Sequence, residues 1–198
     1  MRELVYYAAV SLDGRIAGPG GEFDFFFAPL ADRERSAAYN AWVDSHYPEA
    51  TPTVGREAAG LAETPNARFD TVVMGLGTYR AAYDQGIESP YAHLRQYVVS
   101  TTLGPVPAPE VTVVDRDPVR LVRGLKGEDS DRDIWLCGGG RLAGALSAEI
   151  DRLVLKTYPV LAGAGVPLVE GGFDPGVFTV VDRQVFDNGV AVTEYARA

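Results

Sequence analysis

Five short stretches of this chain carry the residue types from which a phosphate or nucleotide site is built. Ser11-Leu12-Asp13-Gly14-Arg15-Ile16-Ala17 sets a carboxylate beside a glycine. On its own it reads first as an Asp-Gly turn. Met74-Gly75-Leu76-Gly77-Thr78-Tyr79-Arg80 offers glycines whose amides can approach a phosphate. Its Thr78 reads first as a helix cap and second as a phosphate ligand. Ser100-Thr101-Thr102 presents three hydroxyls, for a ribose, a phosphate or a simple turn. Gly138-Gly139-Gly140-Arg141-Leu142 places three glycines where a turn needs one. The backbone entropy they cost points to a ligand lying on the main chain. Gly138 to Ala143 also fits G-x-G-x-x-A, but the following strand lacks the acidic residue that would meet a ribose. Pro159-Val160-Leu161-Ala162-Gly163-Ala164-Gly165 reads as a hinge or a ligand wall.

These stretches follow strand-like runs at residues 4–10, 69–74, 96–100, 133–137 and 153–158, and a short sixth run covers 111–114. Several are continuously apolar, as strands buried on both faces of a parallel sheet are. Residues 33–46 read as a helix, and a shorter one follows Pro118. Leu142, Leu146, Ile150 and Leu153 form one apolar stripe at helical spacing. Near the end, 177–186 and 190–195 flank Asp187-Asn188-Gly189, which predicts an antiparallel hairpin closed by a type I′ turn with two positive φ angles. The class is therefore α/β with an antiparallel C-terminal edge. Strand C-termini share one edge in such a sheet, and four glycine or hydroxyl loops along it suit an elongated phosphate-bearing cofactor better than a metal ion.

Composition removes other functions. The chain has 198 residues, 18 Lys plus Arg against 27 Asp plus Glu, and a net charge of −9. That balance disfavours nucleic acid and anionic membranes as partners. Cys137 is the single cysteine and His46 and His93 are the two histidines, so neither a disulfide nor a structural zinc site is expected. With no paired histidine, Cys137 reads as a buried thiol rather than a nucleophile. The opening apolar run is too short to span a membrane and lacks signal-peptide flanks, and the chain reads as cytoplasmic. A single domain over 1–198 is expected, in which 22–68 forms an aromatic-rich insertion containing Phe23, Phe25, Phe26, Phe27, Trp42 and Tyr47. Those rings suit a flat heterocycle, a dimer contact or ordinary core packing. Arg56 and His46 in the insertion read first as solvated surface.

Taken in order, Ser11 to Ala17, Val73-Met74-Gly75-x-x-Thr78-Tyr79, Val98-Val99-Ser100, Gly138-Gly139-Gly140-x-Leu142, and Asp151-x-Leu153 leading to Pro159-Val160-x-x-Gly163-x-Gly165 resemble the dihydrofolate-reductase-like family. The branch is the RibD C-terminal domain, the reductase half of a riboflavin-biosynthesis enzyme. The resemblance implies a three-layer fold around a mostly parallel twisted sheet of about eight strands. It implies NADPH, a small-molecule substrate reduced at C=O or C=N, and a homodimer. By position, Gly75 and Thr78 would face the cofactor phosphates, and Ser100 and Thr101 the adenosine ribose and its 2′-phosphate. Gly138, Gly139, Gly140 and Leu142 would lie along the pyrophosphate and nicotinamide, and Ala9 and Ile16 would border the nicotinamide. Asp13 matches an acidic position beside the substrate, as proton relay or substrate ligand, and reads equally as a residue that only shapes its loop. Leu76 and Thr101 stand where the family commonly has arginines, which leaves NADH open as cofactor. Cys137 stands where the riboflavin enzymes have Glu. A nucleotide-binding module of the same fold without turnover is the alternative, and a binder of simple phosphate esters is a third.

Overall fold

A computed structural model describes residues 1–198. Eight strands form one sheet in the order β5-β4-β3-β6-β1-β7-β10-β9. They are β1 (Leu4–Val10), β3 (Phe69–Gly75), β4 (Arg95–Val99), β5 (Val111–Val114), β6 (Asp133–Gly138), β7 (Arg152–Thr157), β9 (Phe178–Val185) and β10 (Ala191–Arg197). The first six run parallel, and β10 pairs antiparallel with both β7 and β9. Two further strands, β2 (Arg15–Ala17) and β8 (Val166–Pro167), make a small separate ribbon.

The central strands are apolar throughout because both faces are covered. Val5, Tyr7, Val72, Met74 and Trp135 face one core together with Tyr39 of α1 (Arg33–His46) and Tyr79 of α3 (Leu76–Tyr83). Leu4, Tyr6, Val73, Ile134 and Leu136 face the other, with Val122 and Leu125 of α4 (Pro118–Lys126) and Leu142 and Ala143 of α5 (Gly140–Ala145). Helices thus lie on both sides of the sheet, giving three layers. One further turn of helix, α2 (Thr53–Arg56), lies in the connection between α1 and β3. The fully buried Glu49 ties that connection down by accepting the amides of Ala67, Arg68 and Phe69 at 3.0, 2.8 and 2.6 Å.

Two local expectations are corrected. The stripe from Leu142 to Leu153 is not one helix. α5 ends at Ala145, a single 3-10 turn covers Ser147–Glu149, and Leu153 belongs to β7. Leu146 and Ile150 still reach the same core, so helical spacing arises from two short elements in succession. The hairpin exists, but Gly189 alone in its turn has positive φ (+84°). Gly189 N–H donates to Phe186 O at 2.9 Å, and Phe186 N–H to Val190 O at 3.0 Å. This is the three-residue loop with a left-handed last residue, not a two-residue type I′ turn. Asn188 has no positive φ, and its side chain ties the turn down: Oδ1 accepts Val190 N–H and Nδ2 donates to Ser36 Oγ of α1.

Candidate functional site

The loops after β3 and β6 meet. A Cβ built on Gly75 would lie 3.4 Å from Gly139 N and 3.7 Å from Leu142 Cβ. One built on Gly139 would lie 3.6 Å from Thr78 Oγ1 and 3.7 Å from Ile16 Cδ1. Gly75, Thr78, Gly138, Gly139, Leu142 and Ile16 therefore share one trough at the C-terminal edge of the sheet. Gly75 is the N-cap of α3 and Gly139 that of α5, and neither has a side chain to satisfy the first-turn amides. Those amides have no partner inside their helices either. Thr78 does not act as a cap, since its hydroxyl makes no hydrogen bond within the protein and faces the Gly138–Gly139 peptide, which is cis. Unsatisfied N–H donors and a free hydroxyl converging on one groove form a donor set that fits a pyrophosphate.

The three glycines have three separate reasons. Gly138 holds φ at +118°, which favours glycine. Gly140 is required by the protein itself, because a Cβ there would collide with the Pro167 carbonyl. Only Gly139 is partly exposed and open toward the trough. The expectation that all three glycines make room for a ligand is corrected for Gly140, which is buried under β8.

Asp13 lies in the loop just past β1, and its carboxylate accepts three hydrogen bonds. Ser11 Oγ donates to Oδ1 at 2.6 Å, Ala162 N–H to Oδ1 at 2.9 Å, and Gly163 N–H to Oδ2 at 2.8 Å. The Ser11 hydroxyl and the two amides hold its pKa down at about 2. An ionised carboxylate with these partners has no proton to give at neutral pH. Of the roles read for Asp13, the geometry favours the clamp that joins the loop after β1 to the loop after β7. Leu12 N–H to Val160 O (2.8 Å) and Leu168 N–H to Gly14 O (3.0 Å) complete that seam.

Ser100 follows β4 one step beyond the level of Gly75, since Gly75 pairs with Val99. Its Oγ accepts the amides of Thr102 (3.2 Å) and Leu103 (3.0 Å), so this hydroxyl shapes a turn. Thr101 beside it is exposed and its hydroxyl is unbonded. A depression of about 360 Å³ lined by Val114, Arg116, Asp117, Arg120 and Leu121 lies beyond the end of β5, adjoining Ser100 through Ser100 N–H to Val114 O (2.9 Å). Arg116 is held by Asp115, whereas Arg120 has no ion-pair partner. In the 22–68 segment, Phe26, Tyr47 and Trp42 pack into or against the core, with Tyr47 stacked 4.5 Å from Tyr7, while Phe23 and Phe27 remain exposed. Arg56 is not surface: it is buried, donating to Pro48 O at 2.7 Å and Thr64 O at 2.6 Å.

Sequence reasoning missed Lys156. It interrupts the apolar run of β7, on the face that carries Val154 and Tyr158. Ala9 pairs with it across β1, and Cys137 of β6, one step past the Tyr6–Leu136 pair, packs against the same core face; all three are partly exposed. Its Nζ sits 4.1 Å from the centroid of the Tyr7 ring. A lysine inside an otherwise apolar strand was the available signal.

Fold and site together define an α/β domain of dihydrofolate-reductase-like architecture. The chain belongs to the RibD C-terminal domain family, whose model matches residues 2–192. It is 27% identical over 169 residues to the protein YwjB of Bacillus subtilis (strain 168), whose own activity is uncharacterized, covering 84% of this chain and 82% of that one. Crystal structures share the fold. One is a candidate riboflavin biosynthesis protein from Shewanella sp. PV-4, with TM-score 0.69 and 22% identity, covering 100% of this chain and 99% of that one. Another is the diaminohydroxyphosphoribosylaminopyrimidine deaminase/5-amino-6-(5-phosphoribosylamino)uracil reductase of Thermotoga maritima, with TM-score 0.62 and 16% identity; this chain aligns in full to 57% of it. No helix is long and apolar enough to cross a membrane.

Proposed function

We propose that this protein is an NADPH-dependent reductase that transfers a hydride to a C=O or C=N carbon of a small, flat, heterocyclic substrate. One observation carries the reading. Two uncapped helix starts and the free Thr78 hydroxyl converge on Gly139 in a single groove, and a dinucleotide pyrophosphate is the ligand such donors suit. When bound, NADPH supplies the hydride. The amides after Gly75 and Gly139 hold its phosphates, while Ile16 and Ala9 border the ring. The Asp13 clamp keeps the loop carrying Ile16 in place. Arg120, with no ion-pair partner beside the Ser100 turn, supplies the cation for the 2′-phosphate that Leu76 and Thr101 do not. Loss of Arg120 should therefore weaken NADPH and leave NADH unchanged.

A second reading, a nucleotide-binding module without turnover, is favoured by the three hydrogen bonds that hold Asp13 ionised, with no proton to give. Fluorescence titration with NADPH and NADH, followed by NADPH oxidation across a panel of carbonyl and imine compounds, separates the two. Binding with oxidation supports the reductase, binding without oxidation supports the module, and no binding at millimolar concentration contradicts both. We also propose a homodimer. β9 is an edge strand whose Val180, Val181 and Val185 are exposed at 62%, 53% and 59%, and such an edge invites a second chain.

A further inference from the structure

Lys156 is the one side chain in the sheet interior whose charge meets nothing in the protein. It makes no hydrogen bond or ion pair, and its Nζ lies over the face of the Tyr7 ring with the Cys137 thiol nearby. The groups around it supply no counter-charge. Cys137 on β6 is a neutral thiol, its pKa pushed up to about 12 by burial. Tyr158, just past β7, is hydrogen-bonded to Tyr39 of α1 at 2.7 Å, and burial pushes both phenols up. Tyr7 on β1 is buried and neutral. Glu194 on β10, opposite Val154, is taken by Arg68 and Arg152 at 3.0 and 3.3 Å. A half-buried ammonium without a partner is costly, and a ring face offsets only part of that cost. The ammonium is also reachable. Ala9, Cys137 and Lys156 itself are each partly exposed, and Ala9 and Cys137 are small, so solvent reaches this part of the sheet face.

We propose that Lys156 is the specificity-determining cation of the substrate site, and that the substrate presents an oxyanion, a carboxylate or an ionised ring oxygen, to its Nζ. This rests on the reductase reading, because it places the acceptor beside Ala9 where the nicotinamide would end. The anion replaces the water that the ammonium has lost, and Tyr7 below fixes the height at which it sits. Loss of surrounding water lowers the lysine to a pKa of about 8, so the seat is charged at neutral pH and empties of charge as pH rises through that value.

The test uses the full chain with NADP⁺ present and two anionic probes, benzoate for a carboxylate and 5-nitrouracil for an ionised ring oxygen. Benzamide and uracil are their neutral counterparts. Affinities are read by calorimetry for wild type, Lys156→Gln and Lys156→Arg. Wild type should prefer at least one anion over its neutral counterpart by about tenfold, as a charge-assisted bond provides. The probe that is preferred identifies the source of the oxyanion. Lys156→Gln should erase that preference, Lys156→Arg should keep part of it, and in wild type it should decline above pH 8. Absence of any preference in wild type, or its survival in Lys156→Gln, overturns the proposal. Repeating the titrations without NADP⁺ separates this outcome from failure of the reductase reading, which shows as absence of dinucleotide binding.

Discussion

At Asp13 and Thr78 geometry decides between roles that residue type leaves open, and at Lys156 it shows a role that residue type did not suggest. The Asp13 carboxylate accepts three hydrogen bonds, so Asp13→Asn should lower the melting temperature and expose the 160–165 loop to proteolysis. Its folded pKa lies near 2 against an ordinary 3.8. The carboxylate therefore contributes fully above pH 4, and the deficit of the variant should shrink as pH falls from about 4 toward 2. Thr78 has the opposite character, because its hydroxyl holds nothing in the protein. Thr78→Val should leave stability within about 0.5 kcal/mol of wild type and weaken NADPH by about tenfold, the value of one hydrogen bond to a charged group. Lys156 carries a stability cost. Unfolded, it keeps its proton up to about 10.5; folded, only to about 8. The penalty is thus complete below pH 8 and fades between 8 and 10.5. Lys156→Met should be more stable than wild type by about 1–3 kcal/mol at pH 7, with the gap closing over that window in denaturation at several pH values.

At the scale of elements, the strands were legible because burial on both faces leaves a continuous apolar run, as in Leu4–Val10 and Phe69–Gly75. The helix Arg33–His46 was legible because Asp32 caps it, accepting the amides of Glu34 and Arg35 at 3.1 Å. What sequence hid was contact between distant segments. The 142–153 stripe looked like one helix since spacing does not report where a chain changes direction. Ser100 read from sequence as a ribose or phosphate ligand or as a simple turn, and only the fold shows its Oγ accepting two amides of its own turn. The need for Gly140 comes from Pro167, 27 residues on. Gly140→Ala should force α5 away from the 166–170 strap and cost about 1–3 kcal/mol, measured by denaturant unfolding.

Across the whole molecule, the parallel order of β4, β3, β6, β1 and β7 brings five strand ends to one edge, which is why loops far apart in sequence form one groove. The convergence of the β3 and β6 loops was foreseeable from topology. The substrate side was not, since Lys156 meets Ala9 and the Tyr7 ring only through the pairing of β7 with β1. The same sheet ends in β9, exposed along seven of its eight residues. Light scattering should report a dimer, and Val180→Lys with Val185→Lys should shift it to monomer without loss of secondary structure. The central claim is that backbone donors after β3 and β6 together hold a dinucleotide. A crystal structure of the NADPH complex tests it most directly. The pyrophosphate should lie within hydrogen-bond distance of amides in both 76–78 and 139–141, with Thr78 Oγ1 donating to a phosphate oxygen. A cofactor bound elsewhere, or touching only one of the two loops, would contradict the account.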